Sequence, residues 1–295
     1  MTHRNEETVA KGKLALSMFI FGTIGLFRRG ITLPSSIIAM VRAVVGTIFL
    51  FLLICSKREK ISSSAVRQNL LLLLLSGTLL GFNWILLFEA YQYTSVATAT
   101  LCYYMAPIFI ILASPLLLRE KLTAKKALCV AVALGGMVLV SGFLETGIGS
   151  IGEMKGVLLG LAAAVFYASV VLLNKYIRDI SAYDKTIMQL GIAAAVLLPY
   201  TLLTENWAAL DMSGSTLPLL LIMGVLHTGV AYALYFGTTR SLSAQTLALF
   251  SYIDPIVAVL LSALVLKEHM SILSLIGAVA VLGSTIVSEL PEKAK

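Results

Sequence analysis

Two stretches, 95-SVATATLCYYMAPIFIILASPLLLRE-120 and 243-SAQTLALFSYIDPIVAVLLSALVLKE-268, align without a gap over 26 positions at an offset of 148, and eleven of the 26 are identical. Leucine matches arise readily in any apolar chain. The pairings of Tyr104 with Tyr252, Pro107 with Pro255, Ser114 with Ser262 and Glu120 with Glu268 do not. The same offset lays Gly81 on Gly229 and Phe88 on Phe236, which extends the match upstream. Self-similarity at a fixed offset marks a duplication, here dividing the chain into residues 1–148 and 149–295.

What was duplicated follows from composition. Hydrophobic residues make up 59% of the chain and charged residues 13%, with a mean hydropathy of +0.95; a soluble domain carries roughly 25% charged residues. Apolar segments fall at 14–33, 36–55, 69–92, 95–118, 125–143, 155–174, 186–203, 216–238, 244–266 and 270–288. Each is near the ~20 residues that a helix needs to cross a bilayer core. The expectation is an all-α integral membrane protein of ten transmembrane helices, five per half. Five is odd, so the second copy enters from the opposite face and the repeats are inverted. The first segment has no small-residue cleavage pattern and more spans follow it, so it reads as helix one of a chain starting at Met1, not as a signal peptide. Cys55, Cys102 and Cys129 all lie in apolar segments and suggest neither a disulfide framework nor a metal site.

Basic residues orient the chain. With the N-terminus inside, 17 of the 22 Lys and Arg collect on the cytoplasmic side, among them Lys57, Arg58, Lys60, Arg119, Lys121, Arg240, Lys293 and Lys295. The other side keeps Arg28, Arg29, Lys155 and Lys267, and Arg42 falls within helix two. The positive-inside rule then puts both termini in the cytoplasm of a multi-pass cell-membrane protein. The net charge of +7 is a topology signal facing anionic lipid and calls for no nucleic-acid partner.

Within 250-FSYIDPIVAVLL-261 stands Asp254, and a carboxylate at the centre of a span costs at least about 2.5–3.5 kcal/mol on insertion scales. At ~1.5 Å of rise per residue, Asp254 lies roughly 15 Å into helix nine and His227 roughly 16 Å into helix eight, entering from opposite faces. Both titratable groups thus reach the midplane, where proton coupling is chemically available. An equally weighted reading makes Asp254 an N-cap ahead of Pro255, restarting a broken helix. The matching residue in the first repeat is Ala106, so the break itself does not demand an acid. A lone helical His is more often a hydrogen-bonded packing residue than a functional one.

A second set of charges lies nearer the outer face. Arg28, Arg29, Arg42 and Glu89 each fall roughly 6–10 Å inside their helix ends. Glu89 is expected to neutralise one guanidinium by a bidentate pair, leaving positive charge over. Snorkelling to headgroups is the bland account of Arg28 and Arg29, and Arg42 is the deeper residue. Glu120 and Glu268, at helix ends, read as structural acids paired with Arg119 or Lys267. Among the aromatics, Tyr91, Tyr93, Tyr183 and Tyr200 fit an interfacial belt. Tyr104 and Tyr252, with Tyr232, Asn83 and Trp84, are candidates to line a cavity; core packing accounts for them about as well.

Ten helices as five plus five, Arg42 early in helix two, and a twice-repeated Pro with Glu thirteen positions on and a Gly-bearing helix after it (134-LGGMVLV-140, 282-LGSTIVS-288) resemble the EamA family of the drug/metabolite transporter superfamily. The resemblance implies a secondary transporter of small metabolites, often an exporter of amino acids or related compounds. Inverted repeats suit that role, since two halves can rock around a midplane site. Outer arginines favour a carboxylate and Asp254 with tyrosines favours a cation or quaternary amine; a zwitterionic amino acid satisfies both. Protons are the candidate coupling ion and a monomer the expected state. No Walker A motif appears, so neither a cofactor nor ATP-driven transport is expected. An intramembrane enzyme would have only His227 and Asp254 as a reactive pair. A receptor or assembly subunit would call for larger loops than those near 56–68 and 204–215.

Overall fold

The computed structural model describes residues 2–59, 61–117, 122–140, 151–212, 214–238, 241–242 and 244–290. Lys60, Arg119, Glu120, Lys121, Arg240, Ser243, Lys293, Lys295 and Met1 lie outside the described residues. All secondary structure among the described residues is helical. Seven helices are long and apolar enough to cross a membrane: Glu6–Arg29, Ser35–Ser56, Leu70–Tyr93, Val96–Leu117, Gly152–Asn174, Ala182–Thr204 and Thr216–Thr238. Ala124–Val140 has 17 residues, and Ile253–Leu264 and Ile272–Ser288 are shorter apolar helices. Of the ten apolar segments, these three fall short of a full span within the described residues.

Helix one starts earlier than hydropathy suggests, at Thr2 instead of near residue 14. Its polar beginning needs no bilayer to be helical, and Glu7 and Lys11 pair at 2.7 Å in the i,i+4 spacing that supports an exposed helix. The helix is interrupted at Thr23, resumes as Ile24–Arg29 and ends ahead of Pro34.

Three further segments are locally irregular, and the irregularities place the candidate site. The segment Val96–Leu117 is broken between Val96–Tyr103 and Ala106–Leu117. Its repeat counterpart is broken between Ala244–Ser251 and Ile253–Leu264. Each second half begins with a proline in its first turn, Pro107 or Pro255. Proline has no N–H, so it leaves the carbonyl four residues earlier, on Tyr103 or Ser251, without its helical donor. In the third, Thr216–Gly224 passes into a π-helical turn, Val225–Val230, before Ala231–Thr238. Such a turn rotates the side chains after it relative to the α-helical lattice.

The packing pairs follow one scheme. Leu70–Tyr93 lies along Ile151–Asn174, and Thr2–Gly22 along Ala231–Thr238. Both parts of the first broken helix touch Ile151–Asn174, and both parts of the second touch Thr2–Gly22. Ser35–Ser56 packs on Ala182–Thr204, and Ala124–Val140 on Ile272–Glu289. In the last pair the backbones nearly touch at Gly136 and Gly277: a Cβ on Gly277 would lie 2.5 Å from the Gly136 carbonyl oxygen, and one on Gly136 2.8 Å from that of Gly277. Small residues at such a crossing let dispersion contacts act where no hydrophobic drive exists between helices in lipid.

Candidate functional site

A cavity of about 310 Å³ lies between the first helix, the helices 35–56, 70–93, 151–174 and 231–238, and the two broken helices. It holds one basic and one acidic side chain, Arg42 and Asp254. Its wall is otherwise aromatic and aliphatic, including Phe21, Trp84, Phe88, Tyr91, Tyr103, Tyr104, Tyr167 and Tyr232.

Arg42 is buried, with its guanidinium 4.2 Å from the Trp84 ring centroid and 5.1 Å from that of Phe88. Its Nε donates to Thr228 Oγ1 at 3.1 Å. The Thr228 hydroxyl in turn donates to the Met223 carbonyl at 3.2 Å, five residues back, a reach that the π-helical turn supplies. Thr228 also fits a notch at Gly46, one turn on from Arg42, where a Cβ would lie 2.4 Å from Thr228 Cγ2. No carboxylate pairs with Arg42 among the described residues, and its two Nη groups take no acceptor there. Stacking and the Thr228 bond thus hold the guanidinium while the face suited to bidentate carboxylate recognition stays available to the cavity.

Asp254 is held from the other half of the chain. Tyr104 donates its hydroxyl to Asp254 Oδ2 at 2.7 Å and lies 3.4 Å from the Ser251 carbonyl oxygen. The two helix breaks therefore meet in the wall of the cavity. The N-cap reading of Asp254 is corrected here: Asp254 lies inside the helix Ile253–Leu264, whose N-cap is Tyr252, and no side-chain cap bond is made. The backbone turns one residue earlier than the Asp-Pro pair suggests, and the carboxylate is turned to a tyrosine instead of to its own helix end.

His227 is not the neighbour of Asp254. It is fully buried, with Nε2 2.8 Å from Thr23 Oγ1 and its ring edge-on to Phe27 at 4.8 Å, and it does not line the cavity. The π-turn directs it to the kink of the first helix. Asn83 is also a packing residue, donating to the Ala163 carbonyl at 2.6 Å. Tyr252 is buried at its break without lining the cavity, whereas Tyr104, Tyr232, Trp84 and Pro107 do line it. Tyr91 departs from the belt assignment: it is buried, lines the cavity and lies 3.3 Å, hydroxyl to hydroxyl, from Thr100.

The remaining charges form two clusters near one end of the bundle. Arg28 is buried and does not snorkel; it donates to the Ile31 carbonyl at 2.8 Å and to Ser35 Oγ at 3.0 Å. Ser35 passes the interaction on to Glu89 Oε2 at 2.7 Å, so Glu89 meets a guanidinium through a serine and not by a direct bidentate pair. Arg29 pairs with Glu268 at 2.7 Å. The partner expected for Glu268 from sequence neighbourhood, Lys267, is instead in a left-handed backbone conformation with φ 54°. Sequence reasoning missed Thr228 altogether and left Tyr103, Tyr167 and Phe21 unassigned. Nothing in the residue spacing announces the π-turn that makes Thr228 the partner of Arg42.

Comparison with known proteins places this geometry. Residues 13–142 and 154–289 match the EamA-like transporter family, and the chain belongs to that family, within the drug/metabolite transporter superfamily. It is similar to the uncharacterized transporter YxxF of Bacillus subtilis, with 33% identity over 262 residues covering 87% of this chain and 81% of that protein. It also resembles the pseudopaline exporter CntI of Pseudomonas aeruginosa, with 29% identity over 173 residues, 57% of each. A crystal structure 20% identical in sequence shares the fold with a TM-score of 0.65 over 95% of this chain and 96% of its own. The protein is accordingly a multi-pass membrane transporter.

Proposed function

We propose that this transporter is a secondary exporter of an amino acid or related small polar metabolite, working by alternating access across the cytoplasmic membrane with Asp254 as the proton-coupling group. One observation carries the reading: a cation and a carboxylate, Arg42 and Asp254, line one cavity without forming an ion pair with each other. A zwitterion answers both ends, its carboxylate at the Arg42 fork and its ammonium at Asp254. A cargo that is only cationic, such as a quaternary amine, engages Asp254 and leaves the buried Arg42 without an anionic partner, as it is in the empty cavity. The relative named as an exporter supports the outward direction.

The architecture that goes with this mechanism is ten spans in two inverted five-helix repeats, residues 1–148 and 149–295, with both termini cytoplasmic. Three features support it: the family match falls in two successive blocks, both helix breaks coincide at the offset of 148, and each packing pair described above maps onto itself or onto another of those pairs at that offset. The chain is read as a transporter and not an enzyme, acting as a monomer in the bilayer, with neither cofactor nor nucleic acid as a partner.

The test is a thermal-shift screen of purified protein against amino acids, monofunctional organic anions and quaternary amines, followed by counterflow of the hits in proteoliposomes. Zwitterions are expected to stabilise the protein and exchange. Stabilisation by quaternary amines with none by zwitterions would overturn the reading.

A further inference from the structure

We propose that Arg29 and Glu268 are the gate residues of the transport cycle, forming a latch that must open for the cavity to reach the face on which they lie. The inference rests on the cavity being the transported cargo's site. Arg29 closes the short helix Ile24–Arg29, and its Nη2 reaches both Glu268 Oε1 at 2.7 Å and the Thr94 carbonyl at 2.8 Å. The other carboxylate oxygen of Glu268 accepts the Val96 N–H at 2.8 Å and the Ser262 hydroxyl at 2.5 Å. Ser262 also accepts from the Ala97 N–H at 3.3 Å. One carboxylate therefore ties the end of the first span to the start of the first broken helix and the end of the second.

Those three elements are also walls of the cavity, through Ile24, Thr100 and Asp254. Arg29 lies five residues beyond Ile24, and Val96 four residues before Thr100, so the latch sits roughly 6–8 Å past the cavity along two of its walls. Walls joined at one end cannot part there while the joint holds. An opening toward this face therefore breaks the Arg29–Glu268 pair and releases the amide groups at the start of the helix Val96–Tyr103. The chemistry suits a reversible joint, because the two side chains keep 33% and 17% of their surface exposed and water can take over their hydrogen bonds when they separate. Glu268 at this helix N-terminus also gains from the helix dipole when the latch is shut.

The experiment reads accessibility and needs no knowledge of the cargo. With Cys55, Cys102 and Cys129 replaced by Ser, Thr100→Cys places the one thiol of the chain in the cavity, and its reaction with a membrane-impermeant thiosulfonate is followed in intact cells and in inside-out vesicles. Arg29→Ala and Glu268→Gln are each expected to raise the labelling rate from outside roughly tenfold, the change in open population that follows from losing about 1.4 kcal/mol of latch energy. Arg29→Lys, which keeps a charge within reach of Glu268, should label at the slow rate of the parent. Glu268→Gln retains an acceptor for Val96 and carries the test should Arg29→Ala fail to fold. A folded Glu268→Gln protein that labels from both sides at the parental rate overturns the latch. A gain confined to inside-out vesicles keeps the latch and overturns the proposed orientation. Loss of cargo binding on Thr100-side substitutions has no bearing on these rates, so the gate and the cargo reading fail separately.

Discussion

Tyr104 and Asp254 lie 150 residues apart and meet hydroxyl to carboxylate at 2.7 Å, each from the break of a different interrupted helix. The contact joins the two halves of the chain at the point where neither has a continuous helix, and it is the one hydrogen bond made by the Asp254 side chain among the described residues. Asn keeps the acceptor oxygen for Tyr104 while removing charge and titration, so Asp254→Asn isolates the role of the charge. The variant is expected to fold and stay monodisperse, to bind a zwitterion more weakly, and to lose the response to an imposed pH gradient in the exchange that remains. Wild-type exchange with an intact pH response would leave Asp254 a structural role alone. Tyr104→Phe removes the donor, and a hydrogen bond to a charged group contributes about 1.5–3 kcal/mol, so a lowered thermal midpoint is expected for that variant.

The guanidinium clamp makes a separate prediction. Arg42→Lys keeps the charge and loses both the planar stack on Trp84 and the Nε bond to Thr228, so cargo affinity should fall by roughly 2- to 30-fold, given ~0.5–2 kcal/mol for the stack. Thr228→Val removes only the oxygen that holds Nε, whereas Thr228→Ser keeps it. Affinity measured by titration calorimetry should therefore drop for Val and recover for Ser. Equal affinity in the parent, Thr228→Val and Arg42→Lys proteins would remove Arg42 from the site. Arg42→Gln is expected to abolish transport in protein that remains folded.

Packing of Ala124–Val140 against Ile272–Glu289 depends on Gly136 and Gly277. A methyl group on Gly277 meets a backbone oxygen at 2.5 Å, which no side-chain rotation relieves. Overpacking of this kind costs about 1–3 kcal/mol, so Gly277→Ala should lower the thermal midpoint. Gly283→Ala, on the same helix as Gly277, meets nothing within 4 Å and is the control, expected to be neutral or mildly stabilising. Equal midpoints for the two variants would contradict the close crossing.

Orientation is checked with a tag after Lys295. Protease added to intact cells should leave it uncut, and permeabilised cells should lose it. Cleavage from outside would reverse the topology drawn from the lysine and arginine bias.

Much of the fold was legible because the bilayer imposes it: an apolar run must satisfy its own backbone, so hydropathy finds the helices, and two prolines at one offset mark two breaks in the same place. Depth along a helix was also readable, which is why Asp254 and Arg42 stood out as expensive residues. Azimuth was not. Counting residues from a helix end put His227 level with Asp254, but a π-turn and a kink at Thr23 rotate His227 away and bring Thr228 to Arg42. Pairings through loops were equally hidden: nothing in the neighbourhood of Glu268 points to Arg29, 239 residues earlier. Tyr91 looked like a belt residue because it falls near a helix end, and only its burial at the cavity beside Thr100 takes it out of the interface.

The stack of Arg42 on Trp84 gives the molecule an optical reporter of its own. The sequence contains two tryptophans, and the other, Trp207, is 40% exposed and donates to the Thr201 carbonyl outside the cavity. With Trp207→Phe the remaining emission comes from one indole whose face is covered by the guanidinium that an arriving carboxylate would draw on. Unlabelled compounds can then be ranked by intrinsic fluorescence in detergent or liposomes, with spectral change localised to this wall of the cavity before any substrate has been identified.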